Sequence, residues 1–311
     1  MRKFKDYIVL FLKGLAMGGA DVVPGVSGGT IAFISGIYEE LLSSIKSINL
    51  PNLKLLFTGK LKDFWLAING NFLLTLFSGI LISIKSLASL LIYLKEAYPI
   101  QLWSFFWGLI MISAVVVLRQ ITKWRLTTIL SGIAGVIIAV LITSLAPAHT
   151  SESYLMIILS GVLGISAMIL PGISGAFILL ILGKYEFILT ALSELDLVVI
   201  SLFLLGCVIG IISFVRVISW LLDKYHNSAV ALLAGFMMGS LNKLWPWKQT
   251  IEFRLDKHGN QIPFVDSNVW PNKYFEVTGH DPVVIQAVLF MAIGFFIVVA
   301  IEKIALQIKI H

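Results

Sequence analysis

The sequence predicts an all-α polytopic membrane protein with an inverted-topology repeat, each half a re-entrant helix hairpin plus three transmembrane helices. Three observations predict it. Apolar residues fill 58% of the 311 positions and charged residues only 13%, where a soluble domain carries about 25% charged. Long apolar runs recur along the chain. One phrase, Pro24-Gly25-Val26-Ser27-Gly28, returns as Pro171-Gly172-Ile173-Ser174-Gly175.

So few charges cannot cover a soluble surface of this size, and the apolar excess faces lipid. The formal net charge of +6 is spread among loops. It reads as topology signals and headgroup contacts, not as a nucleic-acid surface. The single cysteine, Cys207, lies in an apolar run and excludes an internal disulfide and a cysteine metal cluster. Arg2, Lys3 and Lys5 lead into an apolar run broken by Lys13, which reads as mature protein, not as a cleaved signal.

The first half, 1–150, holds a hairpin at 8–42 and spans at 71–94, 100–118 and 127–146. The second, 151–311, holds a hairpin at 155–190 and spans at 197–222, 228–244 and 282–302, with a long loop at 245–281. Each span is near the ~20 residues that cross ~30 Å of hydrocarbon. The hairpin arms are shorter; about fifteen residues before Pro24 make roughly 22 Å of helix. The expected form is one short helix in, a turn at the Pro-Gly, and one short helix out. Exposed backbone at that depth needs cover from protein or a wet cavity.

The match around the motifs keeps an offset of 147: Gly36 with Gly183, Tyr38 with Tyr185, Glu39 with Glu186. Gly79, Ser86, Tyr98, Gly108 and Ser113 meet Gly206, Ser213, Tyr225, Gly235 and Ser240 at an offset of 127. The difference is a twenty-residue insertion, Ser47–Ile68, expected as an interfacial amphipathic helix. An odd number of spans turns the second half over, which predicts a pseudo-two-fold axis in the membrane plane.

Loop charges set the orientation. With both termini cytoplasmic, Lys46, Lys54, Lys60, Lys62, Arg119, Lys123 and Arg125 fall inside. The outer loops Ala146–Ser153 and Ser193–Asp196 hold no Lys or Arg. Trp245, Trp247 and Trp270 read as headgroup anchors, and Ile251–Val265 as a β-hairpin around His258-Gly259-Asn260.

The two tips are the candidate site. A helix that starts at Ser27 or Ser174 offers free N–H groups and a positive dipole end. Gly28, Gly29 and Gly175 admit close approach, and Ser27, Thr30 and Ser174 add hydroxyls. Two such ends meeting in the membrane suit a phosphate or carboxylate. A lone copy reads more simply as glycine packing with a serine cap; duplication at a repeat interface favours a site.

Charges inside apolar stretches cost about 2.5–3.5 kcal/mol each at a helix centre. Lys85 and Arg216 lie within spans, and the repeat sets Arg216 opposite Ser89, one turn from Lys85. They are candidate anion contacts, against snorkelling to water. Asp21 either caps the first break or binds a proton or sodium ion; its counterpart is Met168. Glu39 and Glu186, near the hairpin exits, are explained by snorkelling, with proton coupling the sharper alternative. His149, His226, His258, His280 and His311 fall in loops or at span ends. No catalytic set, metal site or cofactor is expected.

The run from Gly18 to Thr30 followed by Gly36-Ile37-Tyr38-Glu39, and the run Leu170–Phe177 followed by Gly183-Lys184-Tyr185-Glu186, resemble the bacterial polyprenyl-phosphate transporter family over nearly the whole chain. The resemblance implies a multi-pass protein of the bacterial cytoplasmic membrane. It implies return of undecaprenyl phosphate from the outer to the inner leaflet, which recycles the lipid carrier of peptidoglycan and other envelope polymers. The implied partners are that lipid and membrane lipids, with protons or sodium as a possible coupling ion; the oligomeric state stays open. Two other classes compete. Undecaprenyl-diphosphate phosphatases have a similar turn, but an Arg follows the Ser where Gly28 and Gly175 stand here. A transporter of a small soluble anion would act on a solute without a prenyl tail.

Overall fold

The computed structural model describes residues 2–22, 27–145, 150–255 and 261–309. Pro24-Gly25, His149, His258-Gly259-Asn260 and His311 lie outside the described residues. The protein is mostly helical. In the first hairpin region, α1 (Phe4–Val22) leads to α2 (Gly28–Ile34) and α3 (Tyr38–Lys46). Two short helices follow, α4 (Leu50–Phe57) and α5 (Leu61–Ala67), and then α6 (Gly70–Ala97), α7 (Pro99–Leu118) and α8 (Leu126–Ser144). The second hairpin region is α9 (Tyr154–Ile169), α10 (Gly175–Ile181) and α11 (Tyr185–Glu194). Then come α12 (Leu197–Ser240), strands β1 (Lys248–Leu255) and β2 (Gln261–Asn268), α13 (Pro271–Thr278) and α14 (Val284–Lys309).

Among the described residues α7, α8 and α12 are each long and apolar enough to cross a membrane. Two bent pairs, α5 with α6 and α10 with α11, qualify when taken together. α12 covers both expected spans, with its break at Tyr225 (φ −131°, ψ 47°). Tyr98, between α6 and α7, has nearly the same backbone (φ −136°, ψ 53°).

The outgoing hairpin arms differ from expectation. Each is two helices, not one, because the chain turns at Gly36 (φ +72°) and Gly183 (φ +65°). A left-handed glycine ends a helix without a Cβ penalty; between α10 and α11 the axis swings by 109°. The insertion is likewise two helices, α4 and α5, parted at Gly59 (φ +76°), and neither buries a residue. β1 and β2 pair antiparallel as the loop sequence predicted. Trp247 is not a headgroup anchor: it is buried, donating Nε1–H to Pro282 O at 2.8 Å. Trp245 packs edge-on to Trp107, Trp247 and Trp270, and of these four Trp270 alone is exposed.

α1 packs on α6, α9 on the first part of α12, α8 on its second part, and α7 on α14. Glycines set these approaches, as small residues do between membrane helices. Gly79 rests on the carbonyl of Phe11, and Gly206 on that of Ile158. Gly108 rests on Met291 O, and Gly235 on Gly132 O. Lys46–Asp223 and Arg119–Glu302 ion pairs mark one end of the bundle. Ile100, Trp247, Tyr274 and Ala287 cluster at the other. Large apolar side chains remain exposed on the outer helices, Leu130 and Leu141 on α8 and Leu204 and Val208 on α12 among them, a surface suited to lipid.

Candidate functional site

Both motifs come to one place. Ser27 is the N-cap of α2, and its Oγ accepts the Gly29 N–H at 3.1 Å. The Ser27 hydroxyl donates to the carbonyls of Met168 (3.1 Å) and Leu170 (3.2 Å), at the end of α9. In return the Gly172 N–H donates to Thr30 Oγ1 at 2.8 Å. Gly172 is itself left-handed (φ +88°), and a Cβ there would lie 2.8 Å from Met237 Cα. The second tip is thereby seated on α12. Ser27, Thr30, Ser174, Gly28, Gly29 and Gly175 are all buried.

The two helix starts differ in charge. The Asp21 carboxylate accepts the Gly28 N–H at 2.7 Å. It occupies the place an anion would take at the start of α2. Seven residues before Gly175, Met168 holds the matching position and lies against it, but a thioether is too weak an acceptor to cap as a carboxylate does. Ser174 makes no side-chain cap on α10. The amides expected to be free at the first tip are therefore taken within the chain by Asp21 and Ser27, while α10 carries no such cap. Asp21 acts here as a cap.

Lys85 and Arg216 are exposed on α6 and α12. Among the described residues neither makes a hydrogen bond or ion pair, and the structure does not bring them onto the tips. Gly18 lies against Ile80 and Ser83 of α6, and Gly210 against Val162 and Ile165 of α9. The two cations thus sit beyond these contacts, Lys85 within a turn of Ser83 and Arg216 nearly two turns past Gly210, toward the level where α1 and α9 end. Glu39 is exposed in the first turn of α3; Glu186 is half-buried in that of α11.

Two lysines were not singled out by the sequence. Lys184 is almost wholly buried, with Nζ 3.0 Å from Thr150 O and over the Phe187 ring. Its repeat counterpart is Ile37, so the substitution of Lys for Ile was the available signal. Lys13 ties α1 to the end of α2 through Ser35 O at 2.6 Å. Among the described residues no group of three His, Cys, Asp or Glu side chains could hold a metal ion.

Relatives of known name match nearly the whole chain or most of it. The chain is 46% identical over 303 residues to the polyprenyl-phosphate transporter of Vibrio cholerae serotype O1, covering 97% of this chain and 98% of that one. It is 34% identical over 265 residues to the polyprenyl-phosphate transporter of Staphylococcus aureus, covering 79% and 88%. Both relatives are named as transporters, not as enzymes. No solved structure matches the chain. Residues 17–262 match the family described as VCA0040-like, undecaprenyl phosphate translocase-like, and with nearly full-length relatives carrying the same transport name, the chain belongs to that family of membrane transporters.

Proposed function

We propose that this protein carries undecaprenyl phosphate from the outer to the inner leaflet of the bacterial cytoplasmic membrane, so that the lipid carrier is reused in envelope synthesis. The observation that carries the reading is the junction of the two tips, where Ser27 and Thr30 bond to Met168, Leu170 and Gly172. Family membership supplies the substrate class. The headgroup is a phosphate monoester, which needs oriented N–H and O–H donors once it leaves water. The prenyl tail can stay in lipid beside the exposed apolar faces while the head crosses.

An inverted repeat is the reading that best explains the duplicated contacts. Gly79 on Phe11 and Gly206 on Ile158 are one contact repeated at offsets of 127 and 147. Gly108 on Met291 and Gly235 on Gly132 use the two halves of the same kind of pair. The breaks at Tyr98 and Tyr225 share a backbone conformation. Rocking one half against the other would open the junction first to one leaflet and then to the other.

In this reading the tip-to-tip bonds are the closed gate, and Asp21 is a resident anion that the substrate must displace. A proton taken up by Asp21 would remove its charge and leave only a neutral acceptor on the Gly28 N–H, which the phosphate can displace, and this couples transport to protons. Ser174 and Gly175 face the same phosphate from the second tip. Lys85 and Arg216 attract the head along the bundle wall, and Glu39 and Glu186 serve proton exit. Both termini lie in the cytoplasm, as the loop charges indicate.

The test is reconstitution into liposomes with a short-chain fluorescent polyprenyl phosphate, scored by protection from an impermeant quencher. Leaflet transfer above that of protein-free liposomes, absent for the dephosphorylated alcohol, is the expected outcome. Equal rates with and without protein would defeat the proposal.

A further inference from the structure

The β1–β2 end of the bundle holds a cavity of about 340 Å³, a size in the range of ligand pockets. It lies between the end of α8, the helix α10, the residues just after α12, and the two strands. Two lysines line it. Lys243 Nζ stands 4.7 Å from the Phe177 ring centroid and Lys248 Nζ 4.3 Å from that of Trp103. Lys248 donates one hydrogen bond, to Lys243 O at 2.6 Å, so two of its three donors remain. Among the described residues no carboxylate pairs with either lysine. Asp266 also lines the cavity and accepts from Thr250 Oγ1 at 3.1 Å. Asn268 and Asn242 are bonded to each other on the rim.

We infer that this cavity is a phosphate-binding site, in which Lys243 and Lys248 receive the phosphate monoester of the lipid before it reaches the hairpin tips. Lys243 and Lys248 repel each other when both are protonated, the single carboxylate of Asp266 on the same cavity offsets at most one of them, and a doubly charged phosphate relieves the repulsion. A carboxylate supplies half the charge. α10 connects the cavity with the tips: Gly175 starts at the junction, and Phe177 and Leu180 line the cavity wall. The loop charges assign this end to the outside, where the carrier lipid is released as phosphate. The inference takes its ligand from the proposed transport and its place from the cavity alone.

The electrostatics agree. Burial, then Lys243, lowers the Lys248 ammonium to about 7, with Asp266 opposing and Lys95 adding a weaker repulsion. Burial likewise lowers Lys243, with Asp266 opposing. Such a lysine is partly uncharged and nucleophilic at neutral pH, and a bound phosphate restores its proton.

The experiment uses the full chain in zwitterionic lipid nanodiscs and labels lysines with an amine-reactive reagent at pH 7, read by mass spectrometry. Lys248 should label fast, and a short-chain prenyl phosphate should slow its labelling at least tenfold, with the prenyl alcohol inert. Inorganic phosphate distinguishes the sources. If it protects only at far higher concentration, the site reads lipid headgroups; if it protects equally, the site takes free phosphate. No protection by either overturns the inference. Lys248→Arg should retain prenyl-phosphate affinity and Lys248→Met should lose it at least tenfold; equal affinity in both also overturns it. Leaflet transfer measured in parallel separates the two proposals, since protection without transfer removes the transport reading and transfer without protection removes this site.

Discussion

Gly172 and Thr30 stand 142 residues apart in the chain and are joined by a 2.8 Å hydrogen bond from amide to hydroxyl. Thr30 has no hydroxyl counterpart in the second half, where Phe177 takes its position. The bond is therefore made once, by the first half, and it locks the second tip onto the first. Both partners are shielded from water, so the bond cannot be exchanged cheaply for one to solvent.

Thr30→Val keeps the shape and removes the acceptor. Gly172 N–H is then buried and unpaired, at a cost of about 1–3 kcal/mol. Thr30→Ser keeps the hydroxyl. Thermal unfolding of the detergent-solubilised variants should show Val below wild type and Ser close to it. A Val variant as stable as wild type would mean that the junction is held by packing alone.

Asp21→Asn retains an oxygen that can accept from Gly28 N–H but carries no charge to displace. The proposed coupling predicts that Asn folds as well as wild type and transfers lipid at a rate independent of pH. Asp21→Ala should instead lose the cap, about 1 kcal/mol. Rates measured from pH 6 to pH 8.5 in liposomes decide it. A pH dependence kept intact in Asn would take Asp21 out of the coupling.

The glycine contacts make a sharper structural prediction. A methyl at Gly206 would overlap the Ile158 carbonyl, whereas the nearest atom to one at Gly132 is 3.5 Å away. Gly206→Ala should force α9 from α12 and cost about 1–3 kcal/mol, the range for overpacking. Gly132→Ala should cost little, because the gain in helix propensity, up to ~1 kcal/mol, works with it. Equal melting temperatures for the two variants would contradict the packing described here.

Much of this was legible in the sequence, for physical reasons. A duplicated Pro-Gly inside apolar sequence has few uses other than a broken helix, so the meeting of the two motifs could be anticipated. The six long apolar runs are elements because lipid imposes their length. What could not be read was which polar group meets which. Asp21 is visible as a charge beside the break, but its bond to Gly28, seven residues on, is not written in the sequence. Gly36 and Gly183 match across the repeat, yet glycine alone does not separate a packing contact from a helix end. Lys243 falls at the end of the 228–244 run and Lys248 in the loop after it, and the two gain meaning only where β1 returns to the end of α12.

The last prediction concerns Lys248 and pH in the absence of ligand. Its ammonium titrates at about 7 in the folded protein, against 10.5 for an ordinary lysine, because burial and Lys243 disfavour the charge. Below pH 7 both folded and unfolded chains hold the proton, and the buried charge lowers stability by a constant amount. Between about 7 and 10.5 the folded chain has lost the proton and the unfolded chain has kept it. Stability contributed by this site therefore rises with pH across that window. Lys248→Met abolishes the dependence, while the remaining lysines, Lys243 included, titrate in both proteins. The difference in melting temperature between wild type and Lys248→Met should shift in favour of wild type from pH 7 to pH 10. Phosphate ligand should oppose the trend, since it binds the protonated lysine and stabilises most at low pH. A difference that stays constant with pH would mean that Lys248 keeps its proton in the cavity throughout.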